Sequence, residues 1–156
     1  MSRNSKFSIE VVSSPVPENQ PSRGAEALGR IAVGEFSETF RMDLSFWSVS
    51  EYRRSWIHAL NRLDGQESVD SCLVTSITDP ASSNFIFCWP IYRRGEEVFV
   101  QNSLIFLDEI CGQFNVEEPW LHIGPRCTVN EDGARISEWK TDISEVRRFM
   151  RDDLEG

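Results

Sequence analysis

The stretch His122–Trp139, "HIGPRCTVNEDGARISEW", brings a histidine, a cysteine, arginine and three carboxylates into 18 residues. A thiol and an imidazole five positions apart could act as nucleophile and base, provided the ring reached the sulfur and a third group oriented it. Neither residue has that setting. His122 alternates with Leu121 and Ile123 in "WLHIG" and reads as a strand histidine, and Cys127 lies beyond Gly124-Pro125, which ends that segment. Two carboxylates can share acid–base work when their surroundings separate their pKa values. The acidic pairs here are Glu117-Glu118, Glu131-Asp132 and Asp152-Asp153, with Glu138 more isolated. In loops and turns such pairs are solvated, and contact with a partner's Arg or Lys suits them better. An enzyme working through Cys127 and His122 is the reading that the residues support least.

Other chemistry is thinly represented. His58 sits in a helical stretch with no HExxH around it. Cys72, Cys88, Cys111 and Cys127 each adjoin apolar residues and lack knuckle spacing, so they read as reduced, packed thiols with no zinc site. The chain has no Walker loop, GxGxxG, GxSxG or EF-hand loop. Neither a metal nor a cofactor is expected.

The charge balance points toward protein contact. The 156 residues carry a formal net charge of −9, which disfavours direct binding of nucleic acid or an anionic membrane. Residues 101–156 hold six basic and twelve acidic side chains, so the last third carries −6 of that total. An acidic surface speeds encounter with a basic partner, and it also simply keeps a small protein soluble. No apolar run approaches the length of a membrane span, and Met1–Lys6 lacks the apolar core of a signal peptide. A cytoplasmic protein is expected.

These residues must be positioned by ordinary elements. "KFSIEVV" alternates and predicts a first strand, and the Pro- and Ser-rich residues 13–24 predict a loop. "RIAVGEFSETFRMDL" predicts a second extended segment with a bulge at Gly34, beyond which Phe36, Phe40 and Met42 share one parity. "SVSEYRRSWIHALNRLDG" predicts a helix. Ser48 and Glu51 form a capping box, Tyr52, Trp56, Leu60 and Leu63 an apolar stripe, and Gly65 the C-terminal cap. "DSCLVTSITD" predicts a buried strand. "NFIFCWPIYRRGEEVFVQN" predicts a hairpin turning at Arg94-Gly95, with Pro90 at an edge or bulge.

Leu104, Leu107, Ile110 and Phe114 follow helical spacing, with a strand as the alternative at the start of that segment. "WLHIG" predicts a short strand or extended segment, "NEDGAR" a tight turn at Asp132-Gly133, and "ARISEW" the returning arm. "TDISEVRRFMRDD" predicts a last helix capped by Thr141 or Asp142, with Ile143, Val146 and Met150 inward, before a frayed tail at 152–156. The expected fold is α+β, a single domain over 1–156 with a mostly antiparallel sheet and about three helices against it. Trp56 and Trp89 fit a core, whereas Trp120 and Trp139 are divided between core and partner contact.

Three blocks in this order, "SEYRRSWIHALNRLDG", "FCWPIYRRGEEVFVQNSLIFLDE" and "GARISEWKTDISEVRRF", resemble the CdiI-type immunity proteins of bacterial contact-dependent growth inhibition. The resemblance spans roughly residues 45–150 and is carried by the order and spacing of the blocks. It implies a non-enzymatic protein made beside a toxin, which is borne at the tip of a large surface filament protein. Such a protein binds and blocks that toxin domain. Toxins of these systems are often nucleases with basic substrate surfaces, which an acidic partner would complement. The resemblance hands over no binding residues. Charge and aromatic content nominate Glu117, Glu118, Glu131, Asp132, Glu138, Trp139 and Asp142. A small cytoplasmic regulatory or scaffold module that binds another protein is the alternative.

Overall fold

The computed structural model describes residues 6–154. The first five residues of the polar N-terminus and the last two of the expected frayed tail lie outside the described residues.

Strand β1 (Phe7–Ser13), β2 (Glu26–Val33) and β3 (Phe36–Asp43) form an antiparallel sheet in chain order. Phe7, Ile9, Ala27, Ile31 and Val33 turn one face inward. The segment expected to run through a bulge at Gly34 is two strands. Gly34 takes φ +64° in the turn between them, a conformation that a glycine reaches without a Cβ clash. The bulge lies instead in β1, between Val11 and Ser13. Residues 14–25 form the expected loop.

Helix α1 (Val49–Gly65) opens on the expected capping box: Ser48 Oγ accepts from the Glu51 amide at 3.3 Å, and Glu51 Oε1 accepts from the Ser48 amide at 3.0 Å. Its stripe of Tyr52, Trp56, Leu60 and Leu63 is fully buried. Gly65 ends the helix without a left-handed turn, and the capping position falls to the extended Gln66. The next strand begins at Ser68, so the chain must leave the helix straight into it.

The second sheet holds β4 (Ser68–Ser76), β5 (Phe85–Arg94), β6 (Glu97–Gln101), β7 (Ser103–Phe106) and β8 (Glu138–Asp142). The order is β4-β5-β6-β8, with β7 paired to the start of β5, and all pairs are antiparallel. The β5–β6 hairpin turns at Gly95, φ +67°. Pro90 is on a central strand, not an edge. It falls where the facing ladder passes from β6 to β7 around Asn102, so its missing N–H meets a gap in the pairing.

Two expectations fail after β6. The helix expected over Leu104–Phe114 gives way to strand β7, the alternative at the start of that segment, followed by a 3-10 turn at Leu107–Glu109, because Ser103–Phe106 pairs with Phe85–Cys88. Its apolar spacing is real, since Leu107, Ile110 and Phe114 pack on the core, but they do so from a loop. "WLHIG" is not a strand either: Pro119–His122 is a 3-10 turn begun by a proline that has no amide to pair. Helix α2 (Ile143–Phe149) starts from Asp142, whose Oδ1 accepts from the Glu145 amide at 3.0 Å, and it runs on as a wider turn over Met150–Leu154. Ile143, Val146 and Met150 are buried as expected.

The described residues form a single α+β domain of two antiparallel sheets and two α-helices, one sheet more and one helix fewer than expected. Helix α1 binds the layers together. Trp56 Nε1 donates to the Val74 carbonyl at 2.7 Å, and Ser71 Oγ donates to the Ala59 carbonyl at 2.9 Å. Tyr52 Oη donates to the Asp43 carbonyl at 2.6 Å and accepts from the Ile77 amide at 3.0 Å. Burial pushes that phenol well above its ordinary pKa, so it stays a neutral donor.

Candidate partner-binding surfaces

His122 is a structural acceptor. Its Nε2 accepts the Asn115 amide at 2.9 Å, its ring lies 4.9 Å from that of Phe114, and burial lowers its pKa. A neutral ring that accepts at Nε2 carries its proton on Nδ1, so neither nitrogen is left to take one from a thiol. Cys127 is exposed, and its contact with the sheet runs through its carbonyl, which accepts Gln101 Nε2 at 2.9 Å. The pair has the make-up of a loop anchor, with no activated nucleophile.

The nominated carboxylates separate into two groups. Glu138 does not display its charge. Arg126 grips it with two hydrogen bonds, Nη2 to Oε1 at 2.7 Å and Nε to Oε2 at 2.9 Å, and Gln101 Nε2 adds a third at 2.8 Å. Only 16% of its side chain is exposed, and the Arg126 hydrogen bonds hold its carboxyl below the ordinary value despite the opposing effect of burial. The Arg126 guanidinium also covers the Phe99 ring at 3.8 Å. Trp139 is likewise engaged, stacked on Phe36 and tilted against Trp89. Asp142 caps α2. All three serve the fold: Glu138 and Trp139 through partners distant in the chain, and Asp142 through the local cap that its place before α2 predicts.

Glu117, Glu118, Glu131 and Asp132 are exposed. Asn115 Oδ1 accepts the amides of Glu117 and Glu118, each at 3.0 Å, and so fixes the loop that presents them. Glu131 and Asp132 ride a turn closed by the Val129–Arg135 bridge. There Asn130 Oδ1 accepts the Asp132 amide at 2.9 Å and Gly133 takes φ +82°, the expected Asp-Gly reversal.

One surface escaped the sequence reading. Phe85, Phe87 and Phe106 lie exposed on β5 and β7, beside a cleft of about 410 Å³ between β3 and the second sheet. Glu26, Glu38, Phe40, Phe87 and Trp89 line it. The alternation "FIFCW" does put Phe85, Phe87 and Trp89 on one face. It does not reveal that cover reaches Trp89 and stops. Among the described residues no cluster of three His, Cys, Asp or Glu side chains could hold a metal ion, and no helix is long and apolar enough to cross a membrane.

Comparison with known proteins agrees with this architecture. The family described as CdiI N-terminal domain matches residues 42–149. The chain is 38% identical over 120 residues to "Immunity protein CdiI" of Enterobacter cloacae subsp. cloacae, a match covering 76% of this chain and 81% of that protein. It is also similar to a chain of the solved "CdiA-CT/CdiI toxin and immunity complex from Enterobacter cloacae". There the TM-score is 0.81 at 33% identity, covering 93% of this chain and 96% of that one.

Proposed function

This chain belongs to the CdiI immunity proteins of contact-dependent growth inhibition systems, and from that premise we propose that it neutralises a cognate CdiA-CT toxin domain through an acidic surface. The family is one of immunity proteins, not enzymes. The observation that carries the proposal is the likeness over 93% of the chain to a component of a toxin and immunity complex. The site of action is the cytoplasm of the producing cell, and the toxin is a basic domain, a nuclease being the activity best matched by an acidic inhibitor.

The physical support is charge and its presentation. A net charge of −9 draws a basic domain in and repels nucleic acid. Glu117, Glu118, Glu131 and Asp132 stand exposed on loops whose backbones are pinned by Asn115 and Asn130. Carboxylates held in this way lose little freedom when they pair with Lys or Arg, which favours association. Glu138, Trp139 and Asp142, which the fold already uses, would support those loops and the neighbouring helix from beneath.

The test is protection. Cells producing the CdiA-CT domain encoded beside this chain's gene should stop growing without the chain and grow with it, and the two proteins should co-elute as a stable complex. Growth arrest that persists despite full production of the chain, with no complex on size-exclusion chromatography, would overturn the proposal.

A further inference from the structure

Among the described residues, the only exposed phenylalanines of the large apolar set are Phe85, Phe87 and Phe106, at 40%, 46% and 45% exposure. They form one patch. Phe85 faces Phe106 across the β5–β7 ladder, and the rings of Phe85 and Phe87 meet edge to face at 5.2 Å. By strand parity they share the face that carries Trp89, which is closed over by Phe36 and Trp139. The patch is therefore the core side of the second sheet, continued past the point where the first sheet stops covering it. Aromatic groups left open where the short strand β7 pairs with the start of β5 invite association, and such a patch is retained most readily where a partner closes it.

The rim says which partner. Glu26 and Asp43 line the hollow beside Phe85 and Phe87, Glu38 lines the adjoining cleft, and the exposed Asp108 and Glu109 come two and three residues after Phe106, in the turn that leaves β7. The basic group lining the same clefts is Arg41, 4.0 Å from Glu26. An apolar centre within an acidic rim complements a basic protein surface that projects an apolar side chain. A second copy of this chain would set acidic rim against acidic rim, and an anionic bilayer would be repelled. We infer that the Phe85–Phe87–Phe106 face is the apolar anchor of the toxin contact, receiving an apolar side chain of the toxin domain flanked by Lys or Arg. This rests on the toxin-binding reading above and adds to it the place where dissociation is controlled.

The test measures binding of the purified chain to the CdiA-CT domain encoded beside it. Phe106→Arg and the triple variant Phe85→Ser/Phe87→Ser/Phe106→Ser should bind about 100-fold more weakly, mainly through faster dissociation. Hydrogen exchange of the wild-type complex should show new protection at residues 85–88 and 103–109, which decides the matter even where the triple variant does not fold. Wild-type binding with equal affinity in the Phe106→Arg variant, and no protection there, would overturn the inference while leaving toxin binding intact. No binding by the wild type would overturn the toxin reading itself. A wild-type dimer in sedimentation, dispersed by Phe106→Arg, would assign the face to self-association and overturn the inference.

Discussion

Trp139 lies flat on Phe36, with ring centroids 3.9 Å apart and planes 13° apart. Phe36 opens β3 in the first sheet and Trp139 stands on β8 in the second, so this stack is a direct clasp between the sheets. Trp89 completes it, 6.1 Å from Phe36 and 5.8 Å from Trp139.

Removing the clasp should loosen the whole domain. Trp139→Ala is expected to cost about 2–4 kcal/mol, through lost burial and lost ring stacking. Trp139→Phe should cost less than half of that. Urea denaturation followed by circular dichroism measures both. A change within about 0.5 kcal/mol for Trp139→Ala would show that the sheets are held by other contacts.

The Arg126–Glu138 pair predicts a pH-dependent contribution. Glu138→Gln should destabilise by about 1–2 kcal/mol at pH 7, since it breaks a largely buried, charge-assisted pair. Because the folded carboxyl titrates below its ordinary 4.5, the contribution is complete above that value and is lost as the pH falls through the lowered one. Urea midpoints of wild type and variant should therefore converge on going from pH 7 to pH 3.5.

His122 predicts a second window at higher pH. Burial lowers its pKa from 6.5, and protonation would turn Nε2, the acceptor of the Asn115 amide, into a donor pointed at a donor. Its contribution is present above 6.5 and is lost as the pH falls through the lowered folded value. His122→Gln keeps an acceptor without titrating, so wild type should lose stability relative to it between pH 7 and pH 5. An NMR titration should place the ring midpoint below 6.5.

Gly29 is a site of close approach. A Cβ there would lie 2.4 Å from Phe40 Cε1, on a ring that packs edge-on to Trp56. Gly29→Ala should cost about 1–3 kcal/mol in urea denaturation, because the ring must move off Trp56. Phe40→Leu in the same background should restore part of the loss by clearing the contact.

Reversing Glu117, Glu118, Glu131 and Asp132 to Lys should slow association with the toxin domain about tenfold or more at low salt. The effect should shrink near physiological salt, since the Debye length falls to about 8 Å there. Stopped-flow or biosensor rates measure it. Unchanged association at low salt would move the acidic contact to the rim of the Phe85 patch.

Local chemistry alone carried the elements whose signals are complete within a short segment. Ser48 and Glu51 mark the start of α1 because both halves of the capping box lie within one turn. The β5–β6 hairpin and the Asp132-Gly133 turn are legible because their glycines answer a purely local demand for positive φ. The acidity of the last third, and the lack of any activated nucleophile, were equally plain from residue types and spacing. So were the three blocks that resemble the immunity family.

Tertiary structure decided what needed a partner distant in the chain. Leu104–Phe106 has spacing that suits a helix or a strand, and the choice falls to Phe85–Cys88, which lies alongside and pairs with it. Glu138 looks like surface charge until Arg126 and Gln101 close on it, and Trp139 looks free for a partner until Phe36 arrives from the other sheet. Phe85 and Phe87 look like core because the alternation that buries Trp89 includes them too. Periodicity states which residues share a face. What covers that face, and where the cover ends, depends on how two sheets meet, and there this chain leaves three phenylalanines open beside Glu26, Glu38 and Asp43.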